Sequence, residues 1–77
     1  MYWIKDKKLT KANSHMKNDV LFWIGKRHVD NKPAKMYWAY LYPSGYCVHG
    51  CQTKERIKQW LDDNIDRIEA RIKELGL

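Results

Sequence analysis

The apolar positions in the last third of the chain repeat at the period of an α-helix. After Thr53 they recur at spacings of three and four residues as far as Leu75, and Gly76 follows as a residue type that commonly ends a helix. Thr53 suits the position before the first turn, where its side-chain oxygen accepts a hydrogen bond from a backbone N–H. The pattern predicts one long helix over residues 53–76, with an apolar face formed by Ile57, Trp60, Leu61, Ile65, Ile68, Ile72 and Leu75.

Three stretches before this helix are rich in β-branched and aromatic residues, which favour strands. They cover residues 20–29, 35–42 and 46–52. Asp30-Asn31-Lys32-Pro33 follows the first stretch and Pro43-Ser44-Gly45 separates the other two, and both are turn sequences. The order predicts an α+β fold in which a three-stranded antiparallel sheet packs on the long C-terminal helix.

The first nineteen residues carry a weaker pattern. Residues 2–5 fit a fourth strand of the sheet, and Leu9, Ala12 and Met16 share one face of a short helix beginning near Thr10. No repeat, low-complexity run or Ser/Gly linker divides the chain, so we expect a single domain. Its parts would be a basic N-terminal segment over 1–19, the sheet over 20–52 and the helix over 53–76.

Alternation along the middle strand places three large rings, those of Trp38, Tyr40 and Tyr42, on one face of the sheet. A two-residue turn at 44–45 would group Cys47, His49 and Cys51 with them, and a three-residue turn would place those residues on the opposite face. One helix covers only one face of a sheet. The three rings are therefore either buried under residues 1–19 or exposed as anchors for a protein partner.

The predicted helix is longer than the sheet. Its 22 or so residues span ~33 Å, whereas a seven-residue strand spans only ~23 Å. The apolar residues from Leu61 to Leu75 follow the 4-3-4-3 spacing of a coiled-coil seam. Either the N-terminal segment covers the overhanging turns or a second copy of the chain does, so a homodimer through residues 61–75 stays open.

Cysteine content and hydropathy indicate the surroundings of the protein. Cys47 and Cys51 lie four residues apart on one predicted strand, about 13 Å between Cα atoms, whereas a disulfide needs less than about 7 Å. Two unpaired thiols favour a reducing compartment, the cytoplasm. No apolar stretch approaches the ~20 residues of a membrane span, and the charges of the N-terminus follow its short apolar start, so we expect neither a membrane partner nor a signal peptide.

The net charge of +6 is confined to the first half of the chain. Residues 36–77 hold six basic and six acidic side chains and cancel. Residues 1–35 hold three acidic side chains and nine basic ones, namely Lys5, Lys7, Lys8, Lys11, Lys17, Lys26, Arg27, Lys32 and Lys35. Such an asymmetry is typical of a protein that faces a polyanion with one end.

A metal site and a catalytic site are both unsupported by the residue pattern. Cys47, His49 and Cys51 would point to one face of a strand, with His15 or His28 as a fourth zinc ligand. Same-face positions on a strand are ~6.7 Å apart, too far for three bonds of ~2.0–2.3 Å to one ion. No nucleophile–base pair, phosphate-binding loop or dinucleotide fingerprint occurs either, so we predict no metal, cofactor or catalytic residue.

A resemblance to a known family is carried by the stretch YWAYLYPSGYCVHGCQTKERIKQWL. It resembles, over roughly residues 20–65, the small three-stranded-sheet-plus-helix domains that bind arm-type DNA at the N-terminus of phage-type tyrosine recombinases. There too an aromatic-alanine strand, a glycine turn, a second strand and a Thr-capped helix follow in order. The resemblance implies that the sheet face enters the major groove. It does not extend to the basic strand residues of that family, because Tyr40, Tyr42 and His49 stand in their place.

A second similarity concerns only the order of elements, which is also that of double-stranded-RNA-binding domains. Their basic helix start is partly matched by Lys54, Arg56 and Lys58.

Two functions remain. The first is a small non-enzymatic nucleic-acid-binding protein, DNA or RNA, that contacts backbone phosphates with its basic half. Its expected contacts are Lys5, Lys7, Lys8, Lys11, Lys26, Arg27, Lys32 and Lys35. The second is an inhibitor or adaptor of the kind that phages and mobile elements encode, which would bind a host protein through Trp38, Tyr40 and Tyr42.

Overall fold

The computed structural model describes residues 4, 7–26 and 36–77. Its elements are β1 (Ser14–Lys17), β2 (Val20–Gly25), β3 (Tyr37–Leu41), β4 (Cys47–Cys51), α1 (Lys54–Asp63) and α2 (Ile65–Leu75). The four strands form one antiparallel sheet in the order β1-β2-β3-β4. The α+β class and the antiparallel sheet are confirmed, but the sheet has four strands and the helical region is divided in two.

The extra strand lies where one of our expectations placed a short helix. Residues 14–17 pair with β2, from Ser14 opposite Trp23 to Lys17 opposite Val20, so the helical prediction around Leu9, Ala12 and Met16 is wrong. The alternative strand over 2–5 and the turn over 30–33 lie outside the described residues, apart from Ile4.

The turn that follows β1 explains why residues 14–17 form a strand and not part of a short helix. Asn18 and Asp19 both adopt positive φ, 49° and 64°, and they form a two-residue connection between paired strands. Asn and Asp tolerate this backbone region, and such turns match the twist of a hairpin. The Asn18-Asp19 pair was therefore the signal for a hairpin that sequence reasoning overlooked.

Both helices pack on one face of the sheet, and the core lies between them. Among the described residues, the buried apolar side chains of this cluster come from β2, β3, α1 and α2: Phe22, Ile24, Ala39, Leu41, Ile57, Leu61, Ile65 and Ile68. The start of α1 was predicted correctly, since the Arg56 backbone N–H donates to Thr53 Oγ1 at 3.2 Å. Gly76 ends α2 with a φ of 70°, as its position after the apolar pattern predicts.

Neither predicted register of the β3–β4 hairpin is correct, because β4 contains a bulge. Tyr37 pairs with Cys51 and Ala39 with His49, but Tyr40 pairs with Cys47, so Val48 is an inserted residue. Val48 and Cys51 pack against the helix-side core. Cys47 instead shares the face of Tyr40. From Tyr37 to Ala39 the pairing is that of the three-residue turn, whereas beyond the bulge Cys47 and Val48 lie on the faces that the two-residue turn predicts.

The helical region bends at Asn64, whose φ of −116° and ψ of 16° are not helical. Its backbone N–H and its side-chain amide both donate to the carbonyl of Trp60, at 3.0 and 2.9 Å. Asn side chains compete for backbone carbonyls in this way, which favours a helix end. α1 stops here, and α2 reaches the β1–β2 turn, where Asn18 Nδ2 donates to Glu69 Oε1 at 3.0 Å.

Most of the apolar residues with coiled-coil spacing between Leu61 and Leu75 are covered by the chain itself. Leu61, Ile65 and Ile68 are buried in the core of the chain itself, and Ile72 packs against it. Leu75 remains 46% exposed. A homodimer through residues 61–75 stays a prediction, with Leu75 as the most accessible member of the seam. Within the described residues, no helix combines the length and the apolar character that crossing a membrane requires.

The other face of the sheet, which we call the open face, is packed by tryptophan rings over glycines. A Cβ at Gly50 would lie 2.6 Å from two ring carbons of Trp38, which is its neighbour across the β3–β4 pairing. A Cβ at Gly25 would lie 2.7 Å from the ring of Trp23. Each glycine therefore leaves the space that an indole ring occupies.

We expect Gly50→Ala to lower the free energy of unfolding by about 1–2 kcal/mol. Displacing the Trp38 ring costs about 1–3 kcal/mol, and the lower backbone entropy of alanine offsets roughly 0.5–1 kcal/mol of that. Urea unfolding followed by far-ultraviolet circular dichroism measures the change. In a Trp38→Leu background the same substitution should cost nothing, and an undiminished cost there would show that the ring is not its cause.

Candidate nucleic-acid interface

The antiparallel order brings several predicted phosphate contacts to one end of the sheet. This end holds the last residues of β2 and the first residues of β3, which are paired with each other. It also holds the beginning of α1, because β4 starts at the opposite end and leads directly into α1. Lys26 follows β2 and Lys54 is the first residue of α1. The β1–β2 and β3–β4 turns lie at the opposite end of the sheet, beside α2.

Three more lysines reach this end on a turn that is held by its own hydrogen bonds. The backbone N–H of Thr10 donates to Asn13 Oδ1 at 2.7 Å, and the side-chain amide of Asn13 donates to the carbonyl of Lys8 at 3.1 Å. Lys7, Lys8 and Lys11 are exposed. The turn is fixed to β2, because the Ile24 N–H donates to the carbonyl of Asn13 at 2.7 Å. These lysines are thus carried by an ordered part of the fold.

Lys54 joins the turn to the rest of the site. Its Nζ donates to the carbonyl of Ala12 at 2.9 Å and also lies 5.5 Å from the centroid of the Tyr37 ring. Lys26 Nζ lies 5.1 Å from the same centroid. Both distances are within the range of cation–π contact. The two ammonium groups are therefore no further apart than the sum of those two distances.

No carboxylate neutralises this pair of lysines in the part of the chain that the structure describes. The ion pairs recorded there are His15–Asp62 and Arg71–Glu74, and neither includes a lysine of this end. Two ammonium groups held near one ring repel each other, so an anion bound between them would be favourable. We call the set Lys7, Lys8, Lys11, Lys26 and Lys54 the basic end.

Charge also divides along the helices. Residues 54–58 hold three basic side chains and one acidic, Glu55, whereas residues 62–74 hold three basic and five acidic. The balanced charge of the C-terminal half thus hides two opposite contributions. The positive part lies at the beginning of α1, next to the basic end, and the negative part lies on the last turn of α1 and on α2.

Sequence reasoning found part of this site. Lys7, Lys8, Lys11 and Lys26 were predicted, and the structure brings them to the end where Lys54 lies. Lys5, Arg27, Lys32 and Lys35 lie outside the described residues. Lys54 was missed as a contact, although its position at a basic helix start was the signal that could have identified it.

The three rings predicted to bind a protein partner differ in exposure. Tyr40 is only 6% exposed, and its ring lies 5.9 Å from that of Trp23 across the open face. Trp38 and Tyr42 are half-buried. Ile4 is fully buried and lies outside the helix-side cluster. Most of the Tyr40 surface is therefore unavailable to a partner in this conformation.

The bulge in β4 also separates the residues that suggested a zinc site. Cys47 pairs with Tyr40 on the open face, whereas His49 and Cys51 lie on the helix face. His49 stacks on Trp60 at 3.9 Å between ring centroids, and His15 Nε2 lies 2.8 Å from Asp62 Oδ1. The expectation that all three β4 residues share a face is wrong. The described residues include no group of three or more potential metal ligands.

Comparison with known proteins adds no relative. The chain matches no protein-family model, and no curated protein or solved structure is significantly similar to it. The site and its geometry are therefore the basis for any functional conclusion.

Proposed function

We propose that this chain is a small non-enzymatic protein that binds nucleic acid by contacting backbone phosphates with its basic end. The observation that carries the proposal is the position of Lys26 and Lys54, which both approach the Tyr37 ring without a carboxylate partner among the described residues. A phosphate that reaches this pair replaces repulsion between two cations by attraction to both. Lys7, Lys8 and Lys11 extend the positive surface from there.

The contact is with the backbone and is independent of base sequence. Lysine interacts with phosphate as a point charge, and neutralised phosphates release condensed counterions, which supplies affinity for any nucleic acid. The Tyr37 ring packs against the core and lies within cation–π distance of both Lys26 and Lys54. Base stacking on that ring is therefore not part of the proposal.

The resemblance to arm-DNA-binding domains suggests a different contact, through the sheet face. The strand residues of the open face are uncharged: Ser14, Met16, Leu21, Trp23, Gly25, Trp38, Tyr40, Cys47 and Gly50. A face without cations gains nothing from counterion release, so we assign the contact to the basic end. We place the protein in the cytoplasm, where nucleic acid is accessible, because Cys47 and Cys51 are too far apart along β4 to pair with each other.

The salt dependence of binding tests this proposal. With about five phosphate contacts, the slope of log K against log salt for random-sequence duplex DNA should be about −4.5, and affinity should fall several hundredfold between about 50 and 200 mM salt. Fluorescence anisotropy with labelled duplex DNA, duplex RNA and single strands measures the slope for each class. Affinity that does not change with salt, or no binding at the lower concentration, would exclude the proposal.

A further inference from the structure

The end of the molecule opposite the basic end contains an apolar groove with two arginines on its rim. The groove has a volume of about 280 Å³ and is open to solvent on one side. It is lined by Leu41, Tyr46, Val48, Trp60, Arg67, Ile68, Arg71 and Ile72. We call it the arginine groove. It shares no residue with the basic end, so its role is independent of the nucleic-acid proposal.

Fixed elements of the fold form the walls of the arginine groove. Leu41 and Ile68 belong to the buried core, and Ile72 and Val48 pack against it. The Trp60 ring is held by its stack on His49, with the two planes 5° apart. The bulge in β4 places Val48 on this side of the sheet. The cavity is thus built by packing and does not depend on a mobile side chain.

The charged side chains of the groove have one sign. Arg67 and Arg71 are four residues apart on α2, so they lie side by side on one surface of the helix. Arg71 lies 3.5 Å from Glu74 in a solvent-exposed pair, which holds it weakly. No acidic residue is among the groove-lining side chains of the described chain. The charge of the rim therefore matches a carboxylate, which arginine binds in a bidentate geometry.

Size and shape indicate what occupies the groove. Pockets that enclose whole small molecules are typically about 300–1,000 Å³ and bury most of the ligand. This groove is at the lower limit and open, which suits one apolar side chain presented by a protein surface. Tyr46, which is 39% exposed, adds an aromatic ring at the rim, and Tyr and Arg are the residue types enriched in protein interfaces.

From this geometry we propose that the arginine groove binds an acidic segment of a partner protein. A leucine-sized side chain of the segment enters the groove, and carboxylates on either side of it contact Arg67 and Arg71. Both parts are required, because the apolar floor selects the side chain and the arginines select the flanking charge. The groove gives the chain a second binding function, at the end away from the proposed nucleic-acid contact.

The test uses a short capped peptide, acetyl-EELEE-amide, titrated into the full-length protein with the backbone amides followed by nuclear magnetic resonance. We expect the largest shifts at Tyr46, Val48, Ile68 and Ile72. The peptide acetyl-QQLQQ-amide lacks the carboxylates, and acetyl-EESEE-amide lacks the apolar side chain. Each should bind at least about tenfold more weakly than the first peptide.

Two charge reversals on the same helix provide the matched comparison. Arg71→Glu should weaken binding of the first peptide by about tenfold, whereas Lys73→Glu, which lies outside the groove, should change it less than about twofold. Arg67→Glu is a second reversal within the groove, at a side chain that is also exposed.

Three results would overturn the proposal. Equal binding of the three peptides would remove the selectivity on which it rests. Shifts confined to the basic end would mean that the peptide senses only the positive charge of the protein. Groove shifts that appear on raising the protein concentration alone would mean that a second copy of the chain occupies the groove.

Discussion

Phe22→Ala is expected to lower the free energy of unfolding by about 3–5 kcal/mol, which is the cost of removing most of a fully buried ring and leaving a cavity. Phe22 is 0% exposed and lies on an interior strand, with His15 and Leu41 as its neighbours across the sheet. A chain of 77 residues has a total stability of about 4–12 kcal/mol. The substitution therefore removes between about a quarter and all of it.

Urea unfolding monitored by far-ultraviolet circular dichroism measures the change, and Leu21→Ala is its matched control. Leu21 is the preceding residue on the same strand, is half-buried on the open face and lies opposite Met16, which is 58% exposed. Its truncation should cost about 1 kcal/mol. If the two variants lost equal stability, the core would not lie on the helix side of the sheet.

Helical periodicity was enough to predict the buried face of the helical region, and alternation separated the two faces of β3. Phe22, Ile24, Ala39 and Leu41 alternate along their strands, and the apolar residues of α1 and α2 follow the helical period. These patterns record burial directly, since each apolar side chain must face the core of the domain.

Features that depend on one backbone position could not be predicted in this way. The bulge in β4 inserts Val48, and neither Val48 nor its neighbours Cys47 and His49 is a glycine or a proline. A period-two pattern contains no information about an inserted residue. The end of α1 depends on the Asn64 side chain, which donates to Trp60 instead of to water. The bulge results from packing of the complete fold, whereas the end of α1 results from a local hydrogen bond that competes with the helix.

The sequence was enough to predict the positive charge of the candidate site but not the approach of Lys26 and Lys54 to one ring at its centre. The excess of lysine in the first half of the chain identified Lys7, Lys8, Lys11 and Lys26. Lys54 is remote in sequence from all of them, and only the order of the strands brings it next to Lys26 at the Tyr37 ring. A contact between residues on different elements requires the topology. The sequence indicated three strands and suggested a fourth over residues 2–5, whereas the structure adds β1 at Ser14–Lys17.

The position of the acidic residues predicts the side from which nucleic acid would approach the protein. Five of the nine acidic side chains lie between residues 62 and 74, at the end away from Lys26 and Lys54. Outside the positive rim of the arginine groove, they would repel a polyanion that approached from that side, and within the Debye length of about 8 Å this repulsion acts locally. Nucleic acid should therefore approach the protein in one orientation.

The double substitution Lys26→Glu/Lys54→Glu is expected to lower the affinity for random-sequence duplex DNA by about 100-fold at low salt. Two attractive contacts become repulsive, and the loss of two phosphate contacts should reduce the steepness of the slope of log K against log salt by about 1.8. Anisotropy titrations at several salt concentrations give both quantities. Circular dichroism of the variant is needed beside them, because Lys54 also donates to the carbonyl of Ala12.

The control for this variant has the same net charge with the substitutions at the other end. Lys17 is the last residue of β1, before the turn that lies beside α2, and Lys73 lies near the end of α2. Lys17→Glu/Lys73→Glu changes the total charge by the same amount, so any difference between the two variants reports position alone. We expect the control to lose no more than about fivefold in affinity.

If the Lys26→Glu/Lys54→Glu variant is unstable, the variant Lys7→Glu/Lys8→Glu tests the same prediction in its place. Both side chains are exposed on the turn that Asn13 closes, so their reversal should leave the fold intact and still reduce affinity by more than the control does. Equal losses in all three variants would mean that binding responds only to total charge, and the assignment of the contact to the basic end would then have to be abandoned.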